Sequence, residues 1–154
     1  FLKSMDYLAK SGASACKILS HIPENLHPYF FRGIFDGDGC FYINLKNYCF
    51  QISVASNFEQ DWKYFEDLLS SLNIKFSVKR RIQKVKTGIN KSSVIRVCNR
   101  PDILKFIEYI YGGEDELDIG LSRKFSKASI IKQYIPRRAR KTNDGQKNVE
   151  GEHP

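Results

Sequence analysis

Phe30-Phe31-Arg32-Gly33-Ile34-Phe35-Asp36-Gly37-Asp38-Gly39-Cys40-Phe41 is the stretch that decides the fold. Its first half is an apolar, aromatic helix. Proline suits a first helical turn, so the helix is expected to start near Pro28, with His27 or Asn25 before it as a cap. It runs into Gly37-Asp38-Gly39, and after it the apolar period changes from 3.6 to 2. Gly33 and Gly37 are four residues apart, share one helix face and permit close approach of another helix. Asp36 and Asp38 sit at the helix end. A carboxylate held beside a second copy of itself at such a seam is poorly solvated and repelled by its neighbour, and a hard divalent cation relieves both problems. Blander readings compete. Asp-Gly pairs form turns, so Asp36 to Gly39 can be a simple helix-to-strand connection, and the glycine pair a crowded contact within one chain. An EF-hand loop fails, because its sixth place is Phe41 and its twelfth Asn47.

Outward from this stretch, Phe41, Ile43 and Leu45 alternate with Tyr42, Asn44 and Lys46, which predicts a half-buried strand. Phe50, Ile52 and Val54 alternate with Gln51, Ser53 and Ala55 and predict its hairpin partner, with Tyr48 at the connection. A helix is expected over 59–72, with Trp62, Phe65, Leu68, Leu69 and Leu72 on one face and Glu59 and Asp61 in its first turn. Strands are expected over 74–82 and 94–98, joined by a loop over 84–93 that contains Gly88. A helix over 103–111, capped by Asp102 and ended by Gly112-Gly113, and a last one over 122–134 complete the pattern. Residues 1–19 are weakly helical, with Leu2, Met5, Leu8 and Ala9 at helical spacing. The expected organisation is an N-terminal helical or linker segment (1–25), a folded domain (26–135) and a disordered basic tail (136–154). This order, αββαββα, predicts an α+β domain: one antiparallel four-stranded sheet with helices packed on one face. The other face is expected to be open and polar. Its candidates are Tyr42, Asn44, Lys46, Gln51, Ser53, Lys75, Ser77, Lys79, Arg81 and Arg96, a mixture of phosphate-contacting cations and base-edge readers.

Charge points the same way. The 154 residues carry 25 Lys+Arg against 17 Asp+Glu, a net charge of +8. Nine basic residues fall between Lys75 and Arg100 (Lys75, Lys79, Arg80, Arg81, Lys84, Lys86, Lys91, Arg96 and Arg100) with no acid among them, while acids cluster at Glu59 to Asp67 and Glu114 to Asp118. Such a band fits a nucleic-acid surface better than scattered solubilising charge. With 42% hydrophobic residues the chain has enough apolar side chain for a core. No apolar stretch approaches the roughly 20 residues of a membrane-spanning helix, so no membrane partner is expected. Residues 1–20 are too polar for a signal peptide, and because the first residue is Phe1, a longer natural chain is expected. The cysteines lack CxxC spacing and the histidines do not cluster, which argues against zinc. Cys40, Cys49 and Cys98 lie in apolar runs and are expected to be small core residues of a reduced intracellular protein, in cytoplasm or organelle matrix.

The segment Phe31 to Gly39 resembles the signature of the LAGLIDADG homing endonucleases, in its F-x-R-G-x-F-D-G-D-G variant. The resemblance extends in element order from about Pro28 to Tyr134. Arg32 departs from the family's common form, which often has alanine there. The resemblance implies that Asp38 is the catalytic metal ligand, with the Gly37 carbonyl a second one, and that Asp36 helps close the helix end. It implies a polar residue at the end of the second strand that positions water, where Ser56 and Asn57 both qualify in place of the usual glutamine. It also implies a basic residue near the start of the last core helix, best matched by Lys124, with Arg123 as fallback. The implied cofactor is Mg2+, or another divalent cation such as Mn2+, or Ca2+ in a non-cutting complex. Single-motif members dimerise through the motif helix, here by Phe31, Gly33, Ile34 and Gly37, and cut long pseudo-palindromic double-stranded DNA in intron homing. The segment before the motif also resembles the linker of two-motif proteins, so pairing with a second half is the alternative to a homodimer. The implied DNA contacts are the open-face candidates together with Arg80, Lys84 and Lys86. Two other functions fit the same residues: a derived intron maturase or regulator that binds without cutting, and a general basic RNA-binding protein.

Overall fold

The computed structural model describes residues 15–86, 88–112 and 121–134. Most of the helix expected over 1–19, Gly113, the acidic run at 114–118 and the tail over 136–154 lie outside the described residues. The elements are α1 (Cys16–Leu19), a 3-10 turn (Glu24–Leu26), α2 (His27–Asp38), β1 (Gly39–Asn44), β2 (Cys49–Asn57), α3 (Lys63–Ser71), β3 (Ser77–Val85), β4 (Gly88–Val97), α4 (Arg100–Tyr111) and α5 (Ser122–Gln133). The four strands form one antiparallel sheet in the order β1-β2-β4-β3. The expected α+β architecture is what the chain adopts.

Alternation sets the two faces of the sheet. Directly paired residues share a face, and the register aligns Phe41, Ile52 and Val97 in one row and Gly39, Val54, Ile95 and Val78 in the next. These rows meet Phe35 of α2, Phe65 and Leu69 of α3, and Phe106 of α4, all buried, in a single apolar core. Aromatic edges interlock there: Phe35 lies 4.9 Å from Phe41 and 5.3 Å from Phe106, both edge-on. A buried polar pin closes the α3 side. Trp62 donates its indole N–H to Ser93 Oγ at 3.0 Å, and the Ser93 hydroxyl donates to the Asn57 carbonyl at 2.6 Å.

The structure differs from expectation at several points, among them the start of α2, where His27 is already helical and Leu26 holds the cap position. Strand β3 has its expected length but lies three residues further on, β4 starts at Gly88 rather than Val94, and the two meet in a tight hairpin at Gly88, whose φ of +135° favours glycine. Most of the stretch expected as a loop is thus strand, and residues 84–85 and 88–91 are exposed on both faces and so without an apolar period. Asp102 lies inside α4 rather than capping it; the cap position belongs to Asn99. Cys40, Cys49 and Cys98 are exposed, not core, because each takes the solvent side of the alternation or a strand end. Trp62 precedes α3, which begins four residues later than the acidic residue Glu59 suggested.

Candidate active site and nucleic-acid interface

Helix α2 divides its sides between three tasks. Phe31 and Phe35, four apart, point into the core, at 2% and 0% exposure. Arg32 and Asp36 turn toward α4: Arg32 is buried with its guanidinium 4.9 Å above the Tyr29 ring. Gly33 and Gly37 form the third side, which is exposed, and a Cβ built at either would meet nothing within 4 Å. The helix–helix seam expected of this motif is therefore an open face of a single chain. One correction follows. Phe31 is not available to a partner, since its ring packs against Phe30, Tyr64, Phe65 and Tyr109. Gly33, Gly37 and the half-buried Ile34 remain accessible.

The two carboxylates at the end of α2 have different environments. Asp36 is half-buried; its Oδ1 accepts the Tyr111 hydroxyl at 2.5 Å and its Oδ2 the Leu121 N–H at 3.4 Å. Burial and the bond to Asp36 push the Tyr111 phenol far above its usual range, so it stays a donor. The Asp38 carboxylate is exposed and makes no hydrogen bond or ion pair with the described residues. The chain turns there from helix to strand, and Gly39 N–H closes the helix on the Phe35 carbonyl.

Lys124, the basic residue that the resemblance implies for the site, is 4% exposed and lies 5.0 Å above the Phe35 ring, with its ammonium donating to the Phe35 carbonyl at 3.0 Å and to the Gly39 carbonyl. Burial pushes its pKa below the ordinary lysine value, Arg123 adds to this, and Asp36 opposes it. Strand β1 is an edge strand, and α5 covers that edge: Lys127, one turn on, reaches the Phe41 carbonyl at 3.4 Å. Both lysines thus cap carbonyls that sheet pairing leaves free. Arg123 is exposed and lines, with Lys124 and Lys127, a small pocket beside Gly39, Cys40 and Phe41.

No described helix packs on the other sheet face. Its rows are Tyr42 with Gln51; Cys40, Ser53, Arg96 and Ser77; Ala55, Val94 and Lys79; and Asn57, Ser92 and Arg81. Tyr42, Gln51, Ser53, Ser77, Lys79, Arg81 and Arg96 are thereby brought onto one surface. Asn44 ends β1 with its Oδ1 taken by the backbone N–H groups of Lys46 and Asn47, an Asx turn. Lys46 lies in that turn, Lys75 precedes β3, and Lys86 sits at the β3–β4 turn; all three are exposed. Arg80 and Lys84 fall on the opposite face from Arg81, because strand side chains alternate, and Arg80 donates to the Phe58 carbonyl at 3.0 Å. Arg100, also in the basic band, closes the end of α5 through the carbonyls of Ile131 and Tyr134. Of the two candidates at the end of β2, Ser56 takes the core-side parity and gives its hydroxyl to Gln60, while Asn57 takes the open face. Since Gly39 pairs with Val54, Asp38 emerges at the end of the sheet where β2 ends and where Lys79 and Arg81 stand across from it.

Sequence reasoning missed Tyr111. As the last apolar residue of an amphipathic helix it reads as core, and only the approach of α2 gives its hydroxyl a carboxylate partner.

Comparison with known proteins gives this site a context. The LAGLIDADG-like domain matches residues 26–111, more than half of the chain. Among solved structures, an archaeal intron-encoded homing endonuclease, I-Vdi141I, complexed with DNA, is 16% identical with a TM-score of 0.46 over 71% of this chain and 69% of that one. The homing endonuclease I-CvuI, in complex with the I-CreI target in the presence of 2 mM Mg and with the DNA not cleaved, is 17% identical with a TM-score of 0.42 over 70% of this chain and 67% of that one. No curated protein matches the chain. The domain match spans the helix that carries Asp36 and Asp38, the whole sheet and α4, and by it the chain belongs to the LAGLIDADG-like family.

Proposed function

We propose that this protein is a site-specific DNA endonuclease that hydrolyses phosphodiester bonds with a divalent metal, acting as a homodimer on a long pseudo-palindromic duplex. The observation that carries the proposal is the environment of Asp38: an exposed carboxylate without a partner among the described residues, at the end of an open glycine face and at the margin of an open basic sheet. Lys79, Arg81 and Arg96 on that sheet neutralise phosphates, and Gln51, Ser53 and Tyr42 offer donors and acceptors to base edges. Two copies packed through Gly33 and Gly37 bring two Asp38 carboxylates to one seam.

The residues at the seam fit a hard cation. Asp38 and the Gly37 carbonyl are oxygen donors, and a single chain has no group of three metal-ligating side chains among its described residues. A cation such as Mg2+ keeps several waters and takes one or two carboxylates plus phosphate oxygens, which matches so sparse a set. When bound, the metal polarises a phosphoryl oxygen and lowers the pKa of water. The chain's own part is to present the carboxylate and the carbonyl, hold the duplex on its sheet, and orient water through Asn57 or Ser56. Four free cysteines, three of them exposed, suit a reducing intracellular compartment.

Binding without cutting is the second reading. It is favoured by the end of β2, where neither Ser56 nor Asn57 is glutamine and the Ser56 hydroxyl is already engaged by Gln60. Selection of duplexes from a random pool in Ca2+, followed by exchange into Mg2+, separates the two. Cutting of both strands, lost in Asp38→Asn with affinity retained, is the expected result. Selected duplexes that stay intact in Mg2+ leave the binding reading, and failure to enrich any duplex overturns both.

A further inference from the structure

Between the last turn of α2 and the start of β1, the chain is held on both flanks of residues 37 and 38 but not at those residues themselves. On one flank, Asp36 accepts the Tyr111 hydroxyl and the Leu121 N–H, which ties α2 to the end of α4 and the start of α5. On the other, the Lys124 ammonium bridges the carbonyls of Phe35 and Gly39 and so brackets the three residues between them. Tyr111 is 7% exposed, and its ring packs edge-on against Phe125 at 6.3 Å, so the phenol has little freedom. Gly37 and Asp38 are exposed, and a Cβ at Gly37 would touch nothing. A staple of the fold alone would be better made of apolar groups, because a half-buried carboxylate and a buried ammonium both carry a desolvation cost.

We propose that Tyr111 and Lys124 are positioning residues that fix the Gly37 carbonyl and the Asp38 carboxylate in place for a divalent cation. The proposal rests on the endonuclease reading above, and it gives Lys124 a place on the backbone behind the metal ligands. Metal ligands tolerate displacements of about 0.5 Å. Two residues suspended between a carboxylate clamp and an ammonium clamp have little room to move beyond that. Loss of one outer partner of a metal ligand typically weakens metal binding about 10- to 100-fold.

The test titrates Mn2+ into the 15N-labelled full chain and follows paramagnetic broadening of the amides of residues 37–40. Tyr111→Phe is expected to need about tenfold more Mn2+ than wild type for equal broadening, while its affinity for a selected duplex in the absence of divalent cations stays unchanged. A purely structural role moves duplex affinity and melting temperature together and leaves the Mn2+ midpoint alone. Lys124→Met supplies an independent variant should Tyr111→Phe lose its folding transition. Tyr109→Phe, on the same helix, is expected to titrate like wild type. Wild-type midpoints in both Tyr111→Phe and Lys124→Met overturn the clamp, while the endonuclease reading survives if Asp38→Asn loses the broadening. If Asp38→Asn broadens like wild type, the metal assignment falls, and both proposals fall with it.

Discussion

Adding one methyl group at Gly39 tests how tightly α2 is joined to β1. The backbone itself tolerates alanine, since φ is −74° and ψ is 156°, ordinary extended geometry. Space does not. A Cβ at Gly39 would lie 2.7 Å from Phe35 Cε2 and would overlap Cδ2 of the same ring and the Phe35 carbonyl. Carbon atoms rest at about 3.5–4.0 Å, so something must move by about 1 Å. The ring cannot move: Phe35 is fully buried, wedged between Phe41 and Phe106 and covered by the Lys124 ammonium. The strain therefore falls on the joint, at about 1–3 kcal/mol for overpacking and about 1 kcal/mol for the weakened Gly39 N–H bond to Phe35. At about 4 °C per kcal/mol for a domain of this size, Gly39→Ala is expected to melt about 8–16 °C below wild type. The contrast is Gly33→Ala, where the new methyl meets nothing within 4 Å. In a dilute monomer it removes the helix penalty of glycine and raises the melting temperature by a few degrees, as expected from about 1 kcal/mol. Differential scanning fluorimetry at low protein concentration reads both. A Gly39→Ala variant that melts with wild type would refute the packing argument.

Ser93→Ala removes both bonds of the buried Trp62–Ser93–Asn57 pin and leaves an indole N–H unsatisfied, so chemical denaturation should show a loss of about 1–3 kcal/mol with altered tryptophan emission. Burial raises the Asp102 carboxyl, but the Lys75 N–H, Asn99 and Lys105 outweigh it and hold the group below its ordinary value of 3.8. Asp102 thus contributes stability that is full above that value and is lost as pH falls through the lower folded one. The melting difference between wild type and Asp102→Asn should be flat from pH 7 to 5 and shrink below pH 3.8. On the open face, Lys79→Ala is expected to weaken duplex binding and flatten its logarithmic salt dependence by about 1, whereas Lys84→Ala, on the opposite face, leaves the slope near wild type. Equal effects of the two would place the duplex elsewhere.

Much of this architecture is legible before any coordinates. The change of period at Gly39, the alternation through Val54 and the amphipathic α3 specify a sheet with helices on one side. What escapes is long-range. Residues 84–85 and 88–91 are strand with both faces exposed, so no apolar period marks them, and only Gly88 hints at a hairpin. The motif names its residues but not their directions. Phe31 and Gly33 are two apart on a helix, and it is the aromatic cluster around Tyr64 and Tyr109 that sends Phe31 inward and leaves Gly33 outside. Lys124 reads as a surface cation on a basic helix. Its burial depends on the free carbonyls of an edge strand distant in sequence, which local spacing does not encode. The cysteines failed for a simpler reason, because an apolar run with period 2 holds outward positions as well as inward ones.

The central claim is that two chains each contribute one Asp38 to the cutting of one duplex. Purified mixed dimers, one protomer wild type and its partner Asp38→Asn, test it directly on a selected duplex in Mg2+. The account predicts nicked product, with one strand cut and the other intact. Mixed dimers that cut both strands at the wild-type rate, or a protein that stays monomeric on its duplex, would contradict it.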